Sequence, residues 1–453
     1  MLPSDLKSLV RSWPQDAPLA CLATAVHDHA GGMSLAASPT KRLEFTGEGA
    51  FEALQKMIPG TIGGSSNVTG RGWMLCLSYE LGRVIEPAAG PQQPTRWPLV
   101  TLLRCEGSLV QETKDGAWAR LGDERAIPLL NSPSDSTCAT GTLEPTISRA
   151  TYESQVQAVI ELIHAGDCFQ ANIAQRFSCQ FSGSVRSLAC AAFDAAKPQF
   201  GALLETAPGR AVISMSPELF LDASAGEIRT RPIKGTRPSN VDPSELISSS
   251  KDAAELAMIV DLMRNDLGRI CAPGTIRVVT PRSIESTTTV HHAVAEVQGT
   301  LNRHSTLSDV LRATFPPGSI TGAPKIRAMQ IIQQLEAEER GPYCGAIGWL
   351  DDSGRLILNV AIRTIAASGV AGATSELIDG RLDYFAGCGI VAESTPAEEY
   401  DESMTKAAVF QQTLHNINQD DPSPAVPSLG VEVLDVAQCS RQPAPPECLG
   451  EAR

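Results

Sequence analysis

The segment RTRPIKGTRPSN, Arg229 to Asn240, sets a single lysine, Lys234, among Arg229, Arg231 and Arg237. Two chemistries fit it. A cluster of cations can bind a polyanion, with the lysine as one charge among several. Alternatively Lys234 is a nucleophile: an ammonium has no free lone pair, but neighbouring arginines and burial depress a lysine's pKa toward the neutral amine. SMSPELFL carries Glu218 inside an apolar, strand-like run. A carboxyl desolvated there has a raised pKa and can act as a general acid, whereas an edge-strand glutamate faces water. His292, in TTTVHHAVAEV, is either a packed core histidine or a donor in a site.

The segment STPAEEYDESMTKAA places further acids on a helix. Thr395 to Glu398 reads as a capping box with Pro396 at the first helical position, which makes Glu398 a cap. Glu399 and Glu402 then lie one turn apart, with Lys406 one turn further. They form either a solvated acidic face or a site for a hard cation. Carboxylates on adjacent turns, with room for waters, suit Mg²⁺ shared with an anionic substrate, and a third carboxylate should come from elsewhere. Glu255 is a candidate, because it adjoins the apolar stripe Leu256, Ile259, Val260, Met263 and Leu267. Asp261, Arg264 and Asp266 beside it read equally as a local ion-pair cluster.

Two glycine-rich stretches resemble nucleotide-binding motifs without matching them. PPGSITGAPK does not fit the P-loop pattern. GCGIVA, Gly387 to Ala392, fits GxGxxA, but the next helix starts only at Pro396, so the fingerprint lacks its strand-to-helix turn. What remains is a backbone concavity whose exposed N–H groups suit a carboxylate.

Elements must hold these groups in place. Residues 1–126 alternate short apolar runs with turns, and 127–148 is rich in Ser, Thr, Pro and Gly and reads as a linker. From Thr151, Tyr152, Val156, Val159, Ile160 and Ile163 recur at helical spacing until Gly166. Two more helices are expected, one from Ser244 to Gly268 and one from Pro324 to Gly341. FQANIAQRFSC, AVISMSPELFL, YCGAIGWL, RLILNVAIRTIAA and RLDYFAGCGIVAES read as strands, with a hairpin around DDSG. Hairpins separated by long helices predict an α+β fold with antiparallel sheets. Residues 149–415 are expected to form the portion that carries these groups, and 419–453 read as a mobile tail.

The chain has 453 residues and a net charge of −14, which opposes general binding to nucleic acid or anionic membrane. No apolar run reaches the length of a membrane span. The twelve cysteines form no CxxC pair, and the amino terminus lacks a signal-like apolar core. A cytoplasmic protein with reduced thiols is the expectation.

Taken in order, PELFL, RPIKGTRP, ELAMIVDLMRNDLGRI, VHHAVAEVQGTL, SITGAPKIRAMQII, GPYCGAIGWL and GCGIVAESTPAEEYDES resemble the chorismate-utilising family. That family includes the component I subunits of anthranilate and aminodeoxychorismate synthases, and isochorismate and salicylate synthases. The resemblance runs from about Thr151 to Leu414, with SYELGR echoing the amino-terminal portion. It implies large antiparallel sheets packed face to face and flanked by helices. It also implies Mg²⁺ on Glu255 and Glu402, with Glu399 beside them, clamping the ring carboxylate of chorismate. Gly387, Cys388 and Gly389 match a backbone cradle; Gly235, Thr236, Tyr343, Arg363 and Lys406 match other substrate contacts, and His292 a catalytic position. Cys388 stands where the family often has alanine.

Two positions separate members. Lys234 matches the PIKGT motif of aminodeoxychorismate synthases, where anthranilate synthases carry PIAGT. Gln170 stands where water-using members have a lysine base, so ammonia is the expected nucleophile. Lys234 as nucleophile and Glu218 as acid then make 4-amino-4-deoxychorismate, a precursor in 4-aminobenzoate and folate synthesis. With no glutaminase signature in the chain, a separate glutamine amidotransferase subunit should form a heterodimer with it and supply ammonia. The alternatives are an anthranilate synthase component I and a non-catalytic subunit that binds the amidotransferase.

Overall fold

Two breaks in apolar runs decide the architecture. AVISMSPELFL, expected as one strand, divides into Arg210–Ser216 and Leu219–Ser224, which lie in different sheets. Pro217 stands at the break, where it has no N–H to give a ladder. RLILNVAIRTIAA likewise divides into Leu356–Val360 and Thr364–Ala371, again in different sheets, with Arg363 at φ +50° between them. The two crossings run side by side: the Val360 N–H donates to the Glu218 carbonyl at 3.1 Å and the Met215 N–H to the Arg363 carbonyl at 2.9 Å. Glu218 and Arg363 thus occupy the seam where the chain changes sheets.

A computed structural model describes residues 5–24, 33–112, 117–133, 136–287, 290–372 and 376–420. Within them the fold is α+β, with one twelve-stranded and one ten-stranded sheet, paired antiparallel throughout. Both sheets continue through both parts of the chain. Ala20–Thr24 pairs with Phe200–Ala207, and Gly72–Leu77 with Ala346–Asp351. The sheets meet face to face through Leu22, Leu35, Phe200 and Val212 of one and Met74, Leu103, Trp349 and Ile357 of the other. Helices Arg149–His164, Ser250–Gly268, Leu307–Thr314 and Lys325–Leu335 join a second core. Helices Leu6–Ser12, Val185–Ala196 and Pro396–Asp420 pack with a third. Among the described residues no helix is long and apolar enough to cross a membrane.

Several element boundaries differ from expectation for local reasons. The expected helix over 244–268 is two, Pro243–Ser248 and Ser250–Gly268, because the Ser249 side chain accepts from the Asp252 N–H and caps a new start. The helix begun after Pro324 stops at Leu335, short of Gly341. The stretch read as a linker lies along a sheet, with Cys138–Thr140 and Glu144–Pro145 paired to Gln170–Ser184. The tail expected over 419–453 lies, from residue 421, outside the described residues.

Candidate active site

Strand Ile233–Pro238 delivers Lys234 through an irregularity. Ile233 pairs with Val294 and Thr236 with His292, so the register shifts across Lys234 and Gly235. Such a bulge re-aims a side chain. Gly235 makes it possible, with φ at +82°. A β-carbon there would stand 2.8 Å from Leu246 Cδ1 and 2.9 Å from the Asp252 carboxyl. Gly235→Ala is therefore expected to cost about 1–3 kcal/mol in urea unfolding through left-handed strain. It should cost activity more, because the bulge that aims Lys234 is lost.

The Lys234 amine reaches the floor formed by strand Glu376–Ile390. Its Nζ lies 3.2 Å from where a β-carbon on Gly389 would stand, and the Gln170 amide crowds the same point. Gly389 pairs with Asn172, two residues along from Gln170 on the neighbouring strand. Gln170 is 1% exposed, and its Oε1 has no hydrogen-bond partner among the described residues. A buried carbonyl left unmet at a site is an acceptor awaiting a donor.

Glu218 is 3% exposed at the sheet crossing, and burial pushes its carboxyl up to about 7. A hydrogen bond with the Ser319 side chain, the charge of Lys234 and the Ile233 backbone N–H hold it down in part. A carboxyl raised this far can hold a proton near neutral pH, as a general acid must. Ser319 belongs to SITGAPK, a stretch whose residue types gave no hint of this role.

Lys234 has a pKa below that of a free lysine, but for a reason the sequence did not supply. Burial is the main cause, helped by the like charge of Lys406 and opposed by Glu255, Glu218 and Glu402. The flanking arginines are engaged elsewhere. Arg229 pairs with Asp222 at 2.6 Å and Arg237 with Asp252 at 2.8 Å, while Arg231 pairs with Glu285 and with Glu296 at 3.2 Å. The expectation that arginines depress Lys234 is corrected: each pairs with an acid, Arg229 and Arg231 along the sheet and Arg237 on helix Ser250–Gly268. The Arg229–Arg237 cluster is likewise no open polyanion surface.

Helix Pro396–Asp420 supplies the acids. Thr395 Oγ1 donates to the Glu398 carboxylate at 2.7 Å, just before the first turn. Glu399 is buried and accepts from Ser394 Oγ at 2.7 Å, while the Ser394 oxygen accepts from the Val391 N–H at 3.1 Å. Glu402 is half-exposed and pairs with Lys406 at 2.7 Å. Burial works to raise the Glu402 pKa, but the ammonium beside it leaves it below the usual carboxylate value. Among the described residues, Cys388, Glu399 and Glu402 bring ligand atoms within 4.8 Å of one another. Burial pushes the Cys388 thiol up, so it stays protonated and is a poor metal ligand. The donors that remain are carboxylate oxygens, which fit Mg²⁺ rather than a soft metal. Glu255 is outside this trio and faces Lys234 from helix Ser250–Gly268; burial raises its pKa and Lys234 lowers it.

The other candidates ring this floor. Lys406 Nζ donates to the Gly387 carbonyl at 2.8 Å. The Tyr343 ring stacks on Phe385 at 5.2 Å, two residues before Gly387. Thr236 Oγ1 and His292 Nδ1 are 2.8 Å apart. Burial, with the charges of Arg363 and His291, pushes His292 down to about 3, so it is neutral. Arg363 has a pKa lowered by burial, and its guanidinium forms no ion pair with any described residue. A desolvated arginine without a carboxylate partner is suited to an anionic ligand.

A family model described as chorismate binding enzyme matches residues 22–412. The aminodeoxychorismate synthase component 1 of Escherichia coli (strain K12) is 40% identical over 282 residues, covering 61% of this chain and 60% of that protein. The anthranilate synthase component 1 of Aeropyrum pernix is 34% identical over 327 residues, 70% of this chain and 72% of that protein. Among solved structures, anthranilate synthase component I from Streptococcus pneumoniae TIGR4 superimposes with a TM-score of 0.72 at 27% identity. That match covers 86% of this chain and 94% of the other.

Proposed function

This chain belongs to the chorismate binding enzyme family, and from that membership we propose that it converts chorismate and ammonia to 4-amino-4-deoxychorismate. The observation that carries the reading is the desolvated Lys234 amine set over Gly389, beside Gln170 and the raised carboxyl of Glu218. In the first step Lys234 Nζ attacks C2 of the ring, the double bonds shift, and the C4–O bond breaks. Glu218 gives its proton to the departing hydroxyl, which leaves as water, while the attacking amine sheds a proton. Ammonia then attacks C4, the double bonds shift back, and the C2–N bond breaks to return the lysine. The balance is chorismate plus ammonia to product plus water. Each step is easier than one direct exchange at C4.

The Gly387–Gly389 backbone, Arg363 and Lys406 hold the substrate's carboxylates. Glu255, Glu399 and Glu402 would hold Mg²⁺, whose charge would fix the ring carboxylate when bound. Gln170 is an amide and takes no proton from water, while its unmet oxygen suits an amine N–H donor. Ammonia comes from a separate glutamine amidotransferase subunit, a reading supported by relatives named as component 1 of their synthases. A second reading, anthranilate formation by direct amination at C2, draws support from the anthranilate synthase relatives. It leaves Lys234 without a task.

The chain with chorismate, Mg²⁺ and ammonium salt at alkaline pH is expected to yield 4-amino-4-deoxychorismate by mass spectrometry, and glutamine alone to yield none. Anthranilate as the sole product would favour the second reading. A pH profile tests Glu218. Its raised pKa means that the acid form is lost as pH climbs through about 7. Reaction at Lys234, followed without ammonia so that ammonium titration does not intrude, should therefore slow across that range. Glu218→Gln should remove this limb and slow the step by about 10²- to 10⁴-fold.

A further inference from the structure

A second cavity, of about 390 Å³, opens between the 93–96 loop, the start of helix Leu81–Ile85 and the segment that follows helix Lys325–Leu335. Four arginines and four glutamates line it, and the glutamates are committed. Glu80 accepts from the backbone N–H groups of Arg340 and Gly341 at 2.8 and 3.1 Å. Glu336 pairs with Arg340 at 2.7 Å, Glu339 with Arg96 at 3.2 Å, and Glu338 with Arg176. What is left over consists of donors. Among the described residues Tyr79 Oη, Arg83 Nη1 and Arg176 Nε have no hydrogen-bond partner, although the three residues are only 2%, 9% and 9% exposed. Beyond hydrogen-bond reach, Arg83 Nη2 lies 3.8 Å from Glu80 and Arg176 Nε 3.8 Å from Asp383.

Buried donors that remain unmet call for a ligand that accepts. A cation would be repelled by the guanidinium groups, and an apolar molecule would leave all three donors bare. A dianion such as phosphate would meet four lining carboxylates. A monocarboxylate accepts several N–H and O–H bonds while adding a single charge, and Pro94 and Ile332 give its body an apolar wall. We propose that this cavity is a second binding site, for a small monocarboxylate whose carboxyl group is received by Tyr79, Arg83 and Arg176. Arg340 forms part of its lining and lies 5.9 Å over the Tyr343 ring, so the two sites share one side chain as a wall.

The probe is 4-fluorobenzoate, followed by ¹⁹F nuclear magnetic resonance titration of the full chain. Saturable millimolar binding is expected, weakened about tenfold in Tyr79→Phe and at least as much in Arg83→Gln. Arg363→Met, which alters the chorismate site, should leave it unchanged. Tyr79→Phe keeps the ring that Arg340 covers, and an unchanged thermal midpoint certifies its fold. Failure of the parent to bind overturns the proposal. So does binding that survives both cavity variants, or binding lost only in Arg363→Met, which would place the probe at the chorismate site. None of these outcomes bears on whether the chain makes 4-amino-4-deoxychorismate.

Discussion

Glu402→Gln and Glu255→Gln are each expected to lower chorismate turnover by about 10²-fold or more, and EDTA should do the same to the parent protein. Glu402 and Glu399 are held near one point by helix Pro396–Asp420, with Glu255 facing them from another helix. Three carboxylates around one substrate position repel one another and an anionic ligand unless a cation stands between them. Lys406 neutralises Glu402 alone, at 2.7 Å. Replacing either glutamate by its amide keeps the shape and removes a charge, so the loss should appear in turnover with little change in the thermal midpoint. Activity restored by Mg²⁺ after EDTA, in the parent and not in Glu402→Gln, is the expected pattern. Full activity in chelator would remove the cation from the account.

Lys234→Ala is expected to be more damaging, lowering 4-amino-4-deoxychorismate formation by about 10³-fold or more. The Gly387–Gly389 floor, Arg363 and the acids remain, so chorismate should still bind. Any product that forms should be aminated at C2, because ammonia can then enter where the lysine attacked. The variant also removes the cation that holds Glu218 down, so the Glu218 carboxyl should rise further above its ordinary value. Lys234→Met, which fills more of the space without an amine, separates loss of the nucleophile from a packing defect. Equal loss in both points to the amine, whereas recovery in Lys234→Met would make Lys234 a packing residue.

The α+β class was legible because hairpins and long helices leave different periodicities. The acidic turn at Glu399 and Glu402 was legible because Thr395 and Pro396 fix where the helix starts. The strand breaks were not, because alternation of apolar residues reports burial and not which sheet a strand joins. Pro217 was visible in the sequence, yet nothing local shows that Val360 answers it from another strand at Glu218. The cause of the Lys234 shift was misread for a similar reason. Nearness in sequence placed Arg229, Arg231 and Arg237 beside it, but Arg229 and Arg231 belong to the preceding strand, Glu227–Arg231, and each of the three arginines pairs with an acid of its own. Lys406 and Glu255, distant in the chain, set its charge environment instead. Ser319 and Ser394 were invisible as well, since a serine becomes a carboxylate's partner only when the fold brings the two together.

A bond between Lys234 and the substrate ring, as proposed, would be visible in the mass of the protein itself. The parent chain, incubated with chorismate and Mg²⁺ in the absence of ammonia, is quenched, digested and examined by peptide mass spectrometry. A gain equal to chorismate minus water is expected on the peptide that holds Lys234, and its disappearance when ammonia is added before the quench. If no such adduct appears at any pH where the enzyme turns over, and Lys234→Ala makes the same product at an undiminished rate, Lys234 is only a charge beside the substrate.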